Sequence, residues 1–136
     1  MKSILMIVLI FSSQLLIAQK IKKAGIHLLA DENNGKSYVF GQQAAVNTVL
    51  DAARNYTLKD VDAMMKNYSP AFGTQVVEGN RKWLNAMEQI SMAPYRLIPV
   101  KIKDTDETLV LTWSREDRKW KNGSQQNLDL MEIFTV

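Results

Sequence analysis

A chain of 136 residues with a formal net charge of +3 is one domain by length, and too weakly basic to be organised around nucleic acid or an acidic partner. It has no cysteine and a single histidine. This excludes thiol catalysis, thiolate metal sites and disulfide stapling, and would leave any zinc site dependent on carboxylates, so no metal or cofactor is expected and the fold must stand on packing alone.

After Met1 and Lys2, the run Ile4 to Ile17 is apolar apart from Ser12, Ser13 and Gln14, and it ends at Leu16-Ile17-Ala18 before Gln19. One positive charge, a short apolar core and a small residue before a polar one are the build of a secretory signal peptide spanning 1–18, cut after Ala18. The alternative is an uncleaved amino-terminal anchor, but the uncharged stretch falls short of the about 20 mostly apolar residues that a spanning helix needs. Export implies a secreted or periplasmic protein with no membrane contact once the leader is removed. Residues 19–41 keep no period, and Asp31-Glu32-Asn33-Asn34-Gly35-Lys36 is polar and turn-rich, so this stretch reads as a partly ordered lead-in. His27 has no second catalytic partner near it in sequence and is assigned to the surface.

A single domain is expected over 42–136. Ala45, Val46, Val49, Leu50 and Ala53 form one apolar stripe at helical spacing, and Val61, Met64, Met65 and Tyr68 form another. The spacing predicts a helix from Gln42 to Tyr56 and a second one capped by Thr57, with Asp60 and Asp62 placed to stabilise its positive end. Proline at 70 turns the chain, and Phe72 to Val77 suits a short strand. Asn80 is the expected cap of a third helix carrying Trp83, Leu84, Met87 and Ile90, a stripe that reads as plain core.

Three strands follow. Tyr95 to Lys103 alternates but contains Pro99, which places it at an edge or a bulge. Glu107 to Arg115 sets Leu109, Leu111 and Trp113 on one face and Val110, Thr112 and Ser114 on the other. Arg115 to Lys121 reads as a charged tip, its basic residues solvated, and Asn122-Gly123 is a hairpin signal leading into a strand from Gln126 to Val136. On this last strand the set Leu128, Leu130, Glu132, Phe134 and Val136 is apolar except for Glu132. A carboxylate on an apolar face has to be paired, solvated or protonated. Protonated, it donates to a ligand oxygen; ionised, it moves a proton; the plainer reading is that it reaches solvent or a surface lysine or arginine. No glycine-rich phosphate loop, paired-histidine motif or serine elbow is present.

The order helix, helix, short strand, helix, long antiparallel strands resembles the nuclear transport factor 2-like superfamily, which includes SnoaL-like polyketide cyclases and ketosteroid isomerases. The resemblance is carried by Tyr56-Thr-Leu-Lys-Asp60-Val-Asp62-Ala-Met-Met-Lys-Asn-Tyr68-Ser-Pro-Ala-Phe72 and by Met131-Glu132-Ile133-Phe134-Thr135-Val136. It implies an α+β fold, a cystatin-like roll in which a curved antiparallel sheet forms a cone over three helices, here lacking the family's last strand. It also implies a pocket at the wide end of the cone, with Glu132 where the isomerases place a protonated aspartate. The isomerase tyrosine would fall at Ala52 and the general base at Val76 or Val77. The resulting expectation is an exported domain that binds a small, largely apolar molecule. Its pocket would be lined by Leu130, Glu132 and Phe134, with Tyr56, Tyr68, Trp83 and Trp113 around them. The alternatives are an acid-base enzyme (isomerase, cyclase or hydratase) using Glu132, and a module that forms a homodimer through the sheet.

Overall fold

The computed structural model describes residues 23–69 and 73–136; the expected leader at 1–18 and the expected turn at Pro70 lie outside the described residues. The elements run β1 (Lys23–Ile26), β2 (Ser37–Phe40), α1 (Gln43–Thr57), α2 (Val61–Met65), α3 (Gly73–Asn85), β3 (Met87–Ile102), β4 (Thr108–Trp120) and β5 (Gln125–Thr135). Among the described residues the strands pair antiparallel in sequence order, β1-β2-β3-β4-β5, in one curved, unclosed sheet with three helices, the α+β class expected.

Helix α1 forms where its stripe predicts, and Ala45, Val46 and Val49 bury against Val110 of β4, with Leu97 and Phe134 beside them. Thr57 does not cap the second helix. It ends the first one, and its Oγ1 accepts the Met92 N–H at 2.9 Å, tying α1 to β3. Asp60 is the cap instead, accepting the Ala63 N–H at 2.9 Å, and Asp62 in the following turn accepts from Arg81 at 3.0 Å. Helix α2 is shorter than its stripe implies and stops at Met65.

The region 73–90 departs most from the periodic reading. Helix α3 begins at Gly73, so the described part of the stretch read as a short strand, Gly73 to Val77, is helical, and Asn80 lies inside the helix with its amide donating to the Val76 carbonyl at 3.0 Å. The β-branched pair Val76-Val77 suggests a strand. Val77 sits two helical turns before Leu84, however, and packs against the same cluster of Val61, Leu84, Met87 and Ile90. Met87 and Ile90 belong to β3, which has 16 residues and begins well before Tyr95, where its apolar alternation starts.

The stretch 23–40 also holds more order than a lead-in. Strands β1 and β2 form a hairpin, and β2 extends the sheet beside β3. His27 is buried, not on the surface: its Nδ1 lies 2.9 Å from the Tyr38 hydroxyl and its Nε2 2.8 Å from Asp31 Oδ2. The hydrogen bond from His27 is the main cause holding the Asp31 carboxyl below its ordinary range.

Pro99 is tolerated because its missing N–H points to the margin where β2 ends. There Gly41 N–H donates to the Pro99 carbonyl at 2.9 Å and nothing is required in return. A side chain at 41 does not fit, since a Cβ there would lie 2.5 Å from Thr108 Cγ2 and 3.2 Å from Pro99 Cβ. Gly41→Ala is therefore expected to lower stability by about 1–3 kcal/mol in thermal melts. Adding Thr108→Ser, which removes the clashing methyl, should recover part of the loss; no recovery would place the cost elsewhere.

Strand β4 continues past Arg115 to Trp120, so the expected charged tip is ladder, with Arg115 opposite Asp129 and Lys119 opposite Gln125. The chain turns at Asn122-Gly123, with Gly123 at φ +87 and Trp120 N–H donating to the Ser124 carbonyl at 2.9 Å.

Candidate functional site

The polar part of the sheet's inner face is built by β4 and β5. On β4 every second residue faces the helices, and after Val110 the set turns polar: Thr112, Ser114 and Glu116 are all buried. On β5 the inward set is Leu128, Leu130, Glu132 and Phe134, as its alternation implied, while Met131 and Ile133 point outward and are exposed. Glu132 stands opposite Thr112 and Leu130 opposite Ser114, so two carboxylates and two hydroxyls share one side of the sheet.

Their environments differ. Glu116 Oε1 accepts the Tyr56 hydroxyl at 3.0 Å, and the same oxygen accepts Nε–H of Arg118 in an ion pair. Trp83 Nε1–H donates to the Tyr56 oxygen at 3.2 Å, the Arg118 guanidinium lies 5.1 Å from the Trp83 ring, and Trp120 meets Trp83 edge-on at 4.9 Å. Burial pushes the Tyr56 phenol up to about 12, and the charge of Glu116 adds to this against the opposing Trp83 hydrogen bond. Tyr56 thus serves as a fixed donor.

Glu132 has no such set of donors. It is half-buried, and its Oε2 is a buried atom with no hydrogen-bond partner among the described residues; Ser114 Oγ on the neighbouring strand is in the same position. Burial is the main cause that raises the Glu132 carboxyl above its ordinary range. The charge of Glu116 adds to it, while a hydrogen bond from the Ser114 hydroxyl and the charge of Arg118 act in the opposite direction. Buried polar atoms are nearly always satisfied, so Glu132 and Ser114 complete their bonding with each other or with a water or ligand.

Beside this group a cleft of about 450 Å³ opens between α1, the residues after α2, and the end of β5. Val49, Ala52, Phe134 and Val136 form its apolar walls, with Thr48, Asn67 and Tyr68 as polar points. Tyr68 joins the cleft to the carboxylate: burial raises its phenol, and the charge of Glu132 raises it further.

The structure therefore gathers Glu132, Phe134 and Tyr68 at one end of the interior, with Leu130 next on the same face. Tyr56 and Trp83 meet at Glu116 instead. Trp113 faces the opposite side of the sheet, where the Arg96 guanidinium lies 5.4 Å from its ring, because it alternates with the inward Thr112 and Ser114. It therefore does not join Glu132 on the inner side of the sheet. The residues that sequence reasoning missed are Ser114 as a polar partner, Glu116 and Arg118. Continuing the alternation of Val110, Thr112 and Ser114 two residues further would have found Glu116. Among the described residues, no group of three or more histidines and carboxylates is placed to hold a metal ion.

Comparison with known proteins gives no match to a family model, a curated protein or a solved structure.

Proposed function

We propose that this is an exported domain of the nuclear transport factor 2-like type that binds a small, largely apolar molecule in the cleft beside Glu132. The reading rests on one observation above the others: Glu132 Oε2 and Ser114 Oγ are buried with no partner beyond each other, and the next inward residue of the same strand, Phe134, lines an apolar cleft. A cleft of about 450 Å³ suits a molecule of one to three rings. A carboxyl held above its ordinary range by burial keeps its proton at higher pH and can donate it to a ligand carbonyl or hydroxyl oxygen. Export is supported by the pattern of Met1 to Ala18.

The test uses an apolar dye bearing a carbonyl group, a propionyl-naphthalene, read by its emission shift. Binding is expected to weaken as pH rises through the elevated Glu132 range, because only the protonated acid donates. In Glu132→Gln the amide donates at every pH, so the profile should be flat. Thr48→Trp, at the cleft wall on the partly exposed side of α1, should abolish binding. Binding that ignores both substitutions would overturn the reading.

Protein stability carries the same sign. A carboxyl whose folded pKa is raised contributes stability that is fully present below its unfolded pKa and is lost as pH rises through the folded value. Glu132→Gln should therefore raise the melting temperature at neutral pH, and the gain should shrink towards acid pH.

A second reading, an acid-base enzyme, draws support from the contrast between the two carboxylates. Glu116 is ion-paired and hydrogen-bonded while Glu132 is unpartnered at Oε2, and such splits separate acid and base roles. In that case Glu132→Gln would keep ligand affinity and lose turnover.

A further inference from the structure

Among the described residues β5 pairs with β4 alone, so its other side is a sheet edge. The ladder fixes which groups lie on it. Thr108 and Val136 exchange both backbone hydrogen bonds, at 2.9 and 2.8 Å, and alternation from that pair turns the N–H and C=O of Asn127, Asp129, Met131, Ile133 and Thr135 outward, away from β4. Sheet edges that stay solitary carry a guard: a proline, a lysine, a bulge, or very short length. Strand β5 has no proline, lysine or bulge and is not short; the charged side chains that also guard edges are limited to Asp129, paired with Arg115 at 3.3 Å, and Glu132 on the inner face. Its eleven residues, QQNLDLMEIFT, contain no proline, lysine or arginine, and its register against β4 runs from Leu109 opposite Thr135 to Lys119 opposite Gln125 without a shift. Met131 and Ile133, at the middle of the edge, are 50% and 58% exposed.

The strand is also complementary to itself. In an antiparallel pair across a two-fold axis normal to the sheet, paired residues share a face, so the axis falls on a residue that meets its own copy. An axis at Asp129 or Glu132 sets two carboxylates directly opposite, which is unfavourable. An axis at Leu130 seats Gln126 against Phe134. An axis at Met131 pairs Met131 with itself, Asp129 with Ile133, Leu130 with Glu132 and Leu128 with Phe134, leaving no like charges opposed.

We propose that β5 docks antiparallel on β5 of a second copy of this chain, with the two-fold axis at Met131, to make one continuous sheet. Leu128 of the partner then lies against Phe134, which lines the cleft at the end of β5, so each copy covers the neighbouring cleft. This assembly does not depend on whether the cleft holds a ligand.

Sedimentation of the protein should give twice the chain mass. Met131→Lys places two ammonium groups opposite each other at the axis and Ile133→Lys charges the next edge position; both side chains are exposed, so each variant should fold and its mass should fall two-fold. Met131→Leu should stay dimeric. Hydrogen exchange separates edge pairing from stacking through the outer face: the amides of Asn127, Asp129, Met131, Ile133 and Thr135 should be slow in the parent and fast in Met131→Lys. A monomeric parent, a dimer that survives both lysines, or a dimer in which those amides exchange as fast as the Asn122-Gly123 turn would each overturn the proposal.

Discussion

Glu116→Ala is expected to lower folding stability by about 3 kcal/mol, the low end of what breaking a buried ion pair costs. Glu116 is 3% exposed and holds together three groups from three elements: Arg118 on its own strand, the Tyr56 hydroxyl from α1 and, through Tyr56, the Trp83 indole from α3. Truncation leaves the guanidinium without its counter-charge and the phenol without its acceptor. The figure stays at the low end because Arg118 keeps some access to water and retains its contact with the Trp83 ring. Urea unfolding should show the loss as a lower midpoint with an unchanged slope. Glu116→Leu combined with Arg118→Met removes both charges and should recover most of the stability, since an apolar pair of similar volume often matches or exceeds a buried ion pair. A loss below about 1 kcal/mol for Glu116→Ala would mean that the pair behaves like an exposed one.

The same residue shows where sequence reasoning stops. Alternation is legible while the residues alternate in polarity, and on β5 it holds: Leu128, Leu130, Glu132 and Phe134 face inward, so Glu132 is visible as the polar member of an apolar set. On β4 the inward residues themselves become polar after Val110. The charged run from Arg115 then looks like a tip, although Arg115 and Asp117 are ladder residues opposite Asp129 and Asn127 on the outer face. A strand whose inner face is a polar network carries no hydrophobic period to read. The site was therefore half legible: the half-buried Glu132 carboxyl could be found, and the ion-paired Glu116 whose charge helps to raise its pKa could not.

The helical part divides in a similar way. The α1 stripe was legible because Ala45, Val46 and Val49 pack on β4 with few competing signals. In the span from Val76 to Ile90 two periods overlap. Val77 and Leu84 fit a helix, and the helical fit extends by chance to Met87 and Ile90, which the chain uses three residues apart on a strand. The β1-β2 hairpin was hidden because its order comes from His27, Asp31 and Tyr38, groups eleven residues apart or less whose bonding no periodicity announces. Burial of a lone histidine follows from two partners that satisfy both ring nitrogens, and neither partner is marked by pattern.

Met87→Ala should be the most damaging apolar truncation, costing about 3 kcal/mol. Met87 is 0% exposed at the point where α3 gives way to β3, packed with Val61 from α2, Leu84 from α3 and Ile90 from its own strand. Its carbonyl accepts Lys59 Nζ at 2.8 Å, and the carbonyl of the preceding Ala86 accepts the Lys121 N–H at 3.2 Å, so the backbone there is held from both sides and cannot collapse into the space a missing side chain leaves. Cavities that cannot relax cost the most. Met131→Ala, at a residue half exposed on β5, is the matched control and should shift stability by less than about 0.5 kcal/mol in the monomeric Ile133→Lys background. Leu84→Ala shares the Met87 cavity, so the double truncation should cost less than the sum of the singles, by a margin of about 0.5 kcal/mol or more. Additive losses would instead mean that the two side chains fill separate spaces, and that α3 and β3 meet through independent contacts rather than one shared core.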